Sequence, residues 1–271
     1  MRISVIQMNV TSEPAENLIH AGQLVRQAKQ AGADMVILPE MFVCTYENAS
    51  FLAHAEPVQG RIWQTLSRLA AENEIYLVGG SFPELEGERL YNTCFVFGPD
   101  GAQIARHRKA HLFDISVEGG QCFRESDTFS PGNDITLFPT KFGLMGLCIC
   151  FDFRFPELSR LMALEGAKVL LVPAAFNMTT GPLHWELLFR SRAVDNQVFT
   201  VGCAPARDEN GSYVSYGNSI IADPWGKVLS RAEGEETILT ADLDLEEIDR
   251  VRQQLPLMSA RRTDLYRLQR R

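Results

Sequence analysis

Three reactive side chains stand just past strand-like runs. Glu40 follows "VILP", Lys109 follows "QIARHR" and Cys150 follows "LMGLCI". In open α/β sheets, ligands bind beyond the carboxyl ends of the strands. A carboxylate, an amine and a thiol in such equivalent places suit a base, an electrostatic stabiliser and a nucleophile. A free thiol has a pKa of about 8.5, and only the thiolate attacks well. The helix that starts near residues 154–158 is expected to lower the Cys150 pKa through its dipole. The strand-turn-helix setting is that of a nucleophile elbow, and it leaves the Phe151 N–H free to face a developing oxyanion. Glu40 would accept the thiol proton, which requires about 2.6–3.2 Å to sulfur or substrate, directly or through a water. Lys109 is a donor while charged, so it stabilises an oxyanion and does not act as base.

Each residue has a plainer reading when taken alone. Cys150 could be core packing, as Cys148 inside the strand is expected to be. Glu40 could be a surface charge at a strand end. Lys109 could be one solvated charge beside Arg106 and Arg108. His107 and His111 have the i, i+4 spacing of a zinc pair, but that spacing works only on a helix. They lie where a strand is expected, and no third ligand follows. A Cys150–His184 dyad is chemically sensible, although His184 falls at a helix start. "GGS" at 79–81 lacks the spacing and lysine of a phosphate loop.

The elements that must position these residues recur in order. Residues 2–9 read as a strand, 15–31 as a helix with Leu18, Ala21, Val25 and Ala28 on one stripe, and "GADMVILPE" as a strand stopped by Pro39. Residues 61–72 give a second helix and "IYLVGGSF" a third strand. "YNTCFVF" and "AQIARHRK" flank the turn "GPDG". The second half repeats this with "FGLMGLCIC", "PELSRLMALEG", "AKVLLVPAAF", "HWELLFRSRAVDNQ", "VFTVGCAP", and "GNSIIA" with "KVLSR" around "DPWG". Matched points lie roughly 120 to 145 residues apart, an internal duplication. Each half is read as β-α-β-α-β-β. Apolar runs without alternation imply strands covered on both faces, hence two stacked sheets with helices outside. No linker divides the halves, so residues 1–271 are read as one domain.

Composition excludes several classes. The chain has 271 residues, 45% hydrophobic and 22% charged, with a formal net charge of −8. Nucleic-acid binding needs clustered Lys and Arg, and only the C-terminal "ARRTDLYRLQRR" is basic; it reads as a solvated tail. No apolar run approaches the ~20 residues of a membrane span, and "MRISVIQMNV" lacks a signal pattern. Six scattered cysteines (44, 94, 122, 148, 150, 203) suggest reduced thiols and a cytoplasmic protein.

Three blocks, "VILPEMF", "RKAHLFDI" and "GLCICFDFRFPEL", resemble the catalytic blocks of the nitrilase superfamily of carbon–nitrogen hydrolases, in its order and spacing. The resemblance spans residues 2–267. It implies a four-layer α-β-β-α sandwich, with Glu40 as general base, Lys109 as oxyanion stabiliser and Cys150 as nucleophile. It implies a second glutamate, matched by Glu125 in "CFRESDTFSPG", which the residues alone would mark as a loop charge. It also implies no metal or organic cofactor, and a homodimer or larger assembly paired through helices.

Within that family, "AAFNMTTGPLHWELLFRSRAVDNQVF" and "CAPARDENGSYVSYGNSIIADPWG" look most like the omega-amidase branch, which acts on 2-oxoglutaramate and 2-oxosuccinamate. Pro156 in "FDFRFPEL" is equally at home in the branch acting on deaminated glutathione. An omega-amide of a dicarboxylate carries an anionic end. Arg154 is the expected partner, a guanidinium fork suited to a carboxylate, against a rival reading as an ion pair with Asp152 or Glu157. Phe176, Thr179, Thr180 and Tyr46 are expected to line the pocket. The remaining alternatives are another amidase of the same fold and a non-catalytic interaction module.

Overall fold

Alternate residues of each buried strand face two different apolar layers, which is why the strand sequences show no polar-apolar alternation. Met35 and Ile37 join one core cluster and Val36 and Leu38 the other. The computed structural model describes residues 1–270; of the basic tail, Arg271 lies outside the described residues. The first half runs β1 (Arg2–Gln7), α1 (Pro14–Gln30), β2 (Met35–Ile37), α2 (Asn48–Ala53), α3 (Arg61–Asn73), β3 (Tyr76–Val78), β4 (Phe82–Glu86), β5 (Arg89–Phe97) and β6 (Gln103–Arg108). A small hairpin follows, β7 (Asp114–Ser116) and β8 (Cys122–Arg124). The second half runs β9 (Thr136–Thr140), β10 (Gly143–Leu147), α4 (Pro156–Leu164), β11 (Val169–Pro173), α5 (Gly181–Asn196), β12 (Phe199–Cys203), β13 (Ile220–Ala222) and β14 (Val228–Arg231). It ends with β15 (Thr237–Asp242) and α6 (Glu247–Gln254).

The first sheet has the order β15-β1-β2-β3-β5-β4, with β6 also paired to β5; the second has the order β14-β13-β12-β11-β10-β9. In each, three consecutive strands linked through helices run parallel, β1-β2-β3 and β10-β11-β12. This is the expected duplication. Ile3, Val5, Met35 and Ile37 meet Leu147, Leu171 and Val201 in one cluster between the sheets. Leu18, Val25, Leu66 and Leu69 of α1 and α3 close the outer face of the first sheet, and Trp185 and Phe189 of α5 that of the second. The architecture is the four-layer α-β-β-α sandwich.

The structure departs from the expected elements in three places. "IYLVGGSF" is not one strand. It breaks after Val78, and β4 begins at Phe82 and turns back antiparallel to β5. Gly80 makes the break, with φ +60°, and a Cβ there would lie 2.2 Å from the Pro39 carbonyl oxygen. This glycine pair therefore serves the close passage beside Glu40. Second, each parallel core gains an antiparallel flanking strand that was not expected: β9 beside β10, and β15 beside β1. Such pairs leave no local sequence signal, since the partner can lie anywhere in the chain. Third, α2, the hairpin β7–β8 and α6 are additional short elements.

Candidate active site

Lys109 lies one residue beyond β6, and the register of β5 against β6 sets its place. Its N–H donates to the Asn92 carbonyl at 2.9 Å. The ammonium is fully buried and reaches two carboxylates: Nζ stands 2.9 Å from Glu40 Oε1 and 2.8 Å from Glu125 Oε2. The Tyr46 hydroxyl lies 3.5 Å from the same nitrogen and 3.4 Å from Glu40 Oε1. Burial alone would push the Lys109 pKa down, yet the charges of Glu125 and Glu40 raise it above its ordinary value. Lys109 is therefore held as a cation.

Glu40 sits at the turn after β2, where Met41 adopts a left-handed φ of 52°. Ser81, from the turn after β3, holds that turn by accepting the Met41 N–H at 3.1 Å and donating its own N–H to the Pro39 carbonyl at 3.2 Å. Asn92 was not anticipated from the sequence. Its amide donates to Glu40 Oε1 at 2.8 Å and to Glu125 Oε1 at 2.9 Å. Glu125 also accepts the Phe113 N–H at 2.7 Å. Burial pushes the Glu125 carboxyl above its ordinary value; the Lys109 charge pulls it back and the Glu40 charge adds to the rise. The hydrogen bonds to Glu40 end on Oε1; among the described residues the buried Oε2 has no hydrogen-bond partner.

Cys150 opens a 3₁₀ turn, Cys150–Arg154, with a left-handed φ of 47°. Non-glycine residues in this region carry strain, a feature of nucleophile elbows. The sulfur is fully buried, and its pKa lies well above the ordinary thiol value. Burial is the main cause and the Glu40 charge the second, while the Lys109 charge and the Ala175 N–H oppose them. This corrects the expected dipole effect. The helix α4 begins only at Pro156, and exclusion of water outweighs any dipole. The resting residue is a thiol, so its proton has to leave during attack. The Phe151 N–H makes no hydrogen bond among the described residues.

A closed cleft around Cys150 is lined by Phe113, Phe151, Arg154, Ala175, Phe176 and Thr180. Arg154 donates to Thr180 Oγ1 at 3.0 Å and to His184 Nδ1 at 3.1 Å, and its guanidinium lies 4.4 Å over the Phe176 ring. It forms no ion pair with Asp152 or Glu157; among the described residues it has no carboxylate partner. His184 serves Arg154 in place of the sulfur, which leaves no Cys–His dyad. Thr179 is exposed, and its methyl faces Gly120 at the hairpin tip, away from the cleft. His107 and His111 both turn to Asp152, at 2.9 Å and 2.7 Å, which accounts for their spacing.

Tyr46 lines a neighbouring cavity of about 240 Å³ that also touches Glu40 and Ala175. Tyr213 was missed from the sequence. It stacks on Tyr46 with ring centroids 4.4 Å apart, and its hydroxyl donates to the Ala175 carbonyl, so it stands between that cavity and the Cys150 cleft.

This four-layer fold, with a buried carboxylate, ammonium and thiol set at equivalent strand ends, is that of a carbon–nitrogen hydrolase. Residues 2–253 match the family model for carbon-nitrogen hydrolases, and the chain belongs to that family within the nitrilase superfamily. It is 50% identical over 265 residues to omega-amidase NIT2 of Mus musculus, covering 98% of this chain and 96% of the relative. It is 48% identical to omega-amidase NIT2 of Homo sapiens over the same shares of the two chains. The crystal structure of Saccharomyces cerevisiae Nit3, a member of branch 10 of the nitrilase superfamily, aligns with a TM-score of 0.90 and 41% identity over 97% of this chain and 96% of that one. A mutant amidase from Nesterenkonia sp. AN1 aligns with a TM-score of 0.82 and 25% identity over 98% and 95%; it shows covalent addition of the acetamide moiety of fluoroacetamide at its active site cysteine. The protein is an amidohydrolase.

Proposed function

We propose that this amidase cleaves the terminal amide of a small 2-oxo dicarboxylic acid monoamide, 2-oxoglutaramate or 2-oxosuccinamate, to the acid and ammonia. One observation carries the substrate: Arg154, a half-buried guanidinium without an acidic partner, lines the same cleft as Cys150. A buried cation is stable when paired, and the free carboxylate of such a substrate supplies the partner. The likeness to the omega-amidases of Mus musculus and Homo sapiens supports the same reading.

In the proposed reaction, Glu40 Oε2 takes the Cys150 proton as the sulfur attacks the amide carbon. A C–S bond forms and the carbonyl oxygen becomes an oxyanion, held by Lys109 and the Phe151 N–H. One such donor is worth about 2.7–4 kcal/mol of barrier. The oxyanion collapses, the C–N bond breaks, and Glu40 gives its proton to the departing nitrogen as ammonia. A thioester remains. Glu40 then removes a proton from water, the hydroxide attacks the thioester, the C–S bond breaks, and the proton returns to sulfur. Glu125 and Asn92 keep Lys109 charged and in place. Pro156 is explained by its position at the first residue of α4, where proline is favoured, so it does not favour deaminated glutathione.

Among the described residues, no helix is long and apolar enough to cross a membrane. We place the enzyme in the cytoplasm on its six unpaired cysteines. Its proposed partner is a second copy of the chain. One stripe of α5 exposes Leu183, Leu187 and Val194 beside Trp225, with Glu186, Arg190 and Arg231 on the same face. A two-fold axis through this stripe would set leucine against leucine and acid against base.

The test is ammonia release across a panel of 2-oxoglutaramate, 2-oxosuccinamate, deaminated glutathione and a neutral short amide, with intact mass recorded during turnover. The proposal expects the highest kcat/KM for the 2-oxo monoamides and an acyl adduct on Cys150. A higher value for deaminated glutathione would overturn the substrate, and an adduct elsewhere would overturn the mechanism.

A further inference from the structure

The carboxylate of Asp152 is fully buried and accepts four hydrogens. Oδ1 takes the His111 peptide N–H at 2.8 Å and meets its ring Nδ1 at 2.7 Å. Oδ2 meets His107 Nε2 at 2.9 Å and takes the Ile149 N–H at 3.1 Å. An ionised carboxylate offers about four lone-pair sites, so this one is saturated. Burial alone would push its pKa up, but hydrogen bonds from His107 and His111, with the Ile149 N–H, hold it well below the usual carboxylate range. It stays an anion.

The donors come from two separate stretches of chain. His107 and His111 lie two residues before and two after Lys109. Ile149 directly precedes Cys150, and Asp152 itself follows by two. One carboxylate therefore ties the segment bearing the ammonium to the turn bearing the thiol. The turn is clasped from both sides, since the Asp152 N–H also donates to the Ile149 carbonyl at 3.0 Å. That clasp holds Cys150 in its left-handed conformation. The imidazoles are fixed in turn. His107 Nδ1 is 2.9 Å from Thr136 Oγ1, and the His111 ring stacks on Phe155 with centroids 3.8 Å apart.

Asp152 does not line the cleft and has no role in the proton transfers. We infer that it is a positioning residue for amide hydrolysis. Acting through His107 and His111, it sets where the Lys109 ammonium stands relative to the Cys150 sulfur. The inference rests on Cys150 and Lys109 being the reacting pair. A misplacement of about 1 Å in such a site costs about 100-fold in rate.

The experiment compares Asp152→Asn, His107→Phe, His107→Gln and His111→Phe with the parent enzyme, all checked for fold by circular dichroism. Asp152→Asn keeps the volume but turns an NH₂ group toward N–H donors; kcat should fall about 100-fold with KM within about twofold. His107→Phe keeps the ring shape without its donor and should fall similarly, while His107→Gln restores an N–H near Nε2 and should recover most of the loss. His111→Phe keeps the stack and the peptide N–H, and should lose about tenfold even if Asp152→Asn proves too unstable to assay. A lowered Tm with kcat at the parent value, or equal losses in His107→Gln and His107→Phe, would overturn the inference. Activity surviving in Cys150→Ala would instead overturn the assignment of the nucleophile.

Discussion

Asn92 fixes Lys109 twice. Its carbonyl accepts the Lys109 N–H at 2.9 Å, and its side-chain amide pins both carboxylates that flank the ammonium. Backbone register and side-chain charge are thus set by one strand residue. Asn92→Leu removes both amide donors and leaves two buried carboxylate oxygens short of a hydrogen bond. Such groups cost about 1–3 kcal/mol each. The expected result is a lower Tm and a kcat reduced about 100-fold, measured by calorimetry and by ammonia release.

The raised pKa of the Cys150 thiol makes a prediction whose sign runs against intuition. The Glu40 charge contributes to that rise, so Glu40→Gln should lower the thiol pKa toward its ordinary value. At a fixed pH near 8, a lower pKa means more thiolate. Iodoacetamide should therefore alkylate Cys150 faster in Glu40→Gln than in the parent enzyme, although the variant releases no ammonia. Slower alkylation would show that Glu40 already holds the thiol proton at rest.

Arg154 separates binding from chemistry. Arg154→Met removes the proposed carboxylate partner but leaves Glu40, Lys109 and Cys150 untouched. KM for 2-oxoglutaramate should rise by about one to two orders of magnitude, the worth of a charge-assisted hydrogen bond of 1.5–3 kcal/mol. A neutral short amide should be turned over as before. An equal loss on both substrates would assign Arg154 a structural role with Thr180 and His184.

The α5 stripe predicts an assembly. Leu183 is 75% exposed and Leu187 is 61% exposed. Replacing both with Asp places four like charges at the two-fold interface. Light scattering should then report a dimer for the parent chain and a monomer for the double variant, with unchanged circular dichroism. A parent chain that is monomeric at micromolar concentration would remove the stripe as an interface.

That Glu40, Lys109 and Cys150 stand near strand ends could be read from the sequence because each is a chemically distinctive type just past a strand-like run, and the parallel core could be read because its strands are uninterrupted apolar runs. The supporting residues could not. Asn92 lies in the middle of a strand, where its polar side chain has no local signature, and Tyr213 is one aromatic in a long loop. Their side chains act on residues more than thirty positions away. The lowered thiol pKa was wrongly expected for a related reason. A helix dipole is a local property of the sequence, whereas the burial that dominates Cys150 is a product of the whole fold. The strand β4 was hidden because Gly79 and Gly80 continue an apolar run that the structure breaks.

β15 pairs with β1 along its full length, from Arg2 with Asp242 to Gln7 with Thr237. During synthesis on the ribosome, the amino-terminal half therefore waits with a bare strand margin until residues 237–242 emerge. Until then β1 can recruit other nascent chains through its unpaired amides, and the closing contact is among the most distant in sequence that the molecule makes, which slows its formation. Newly made chains should depend on chaperone shielding far more than the finished enzyme does.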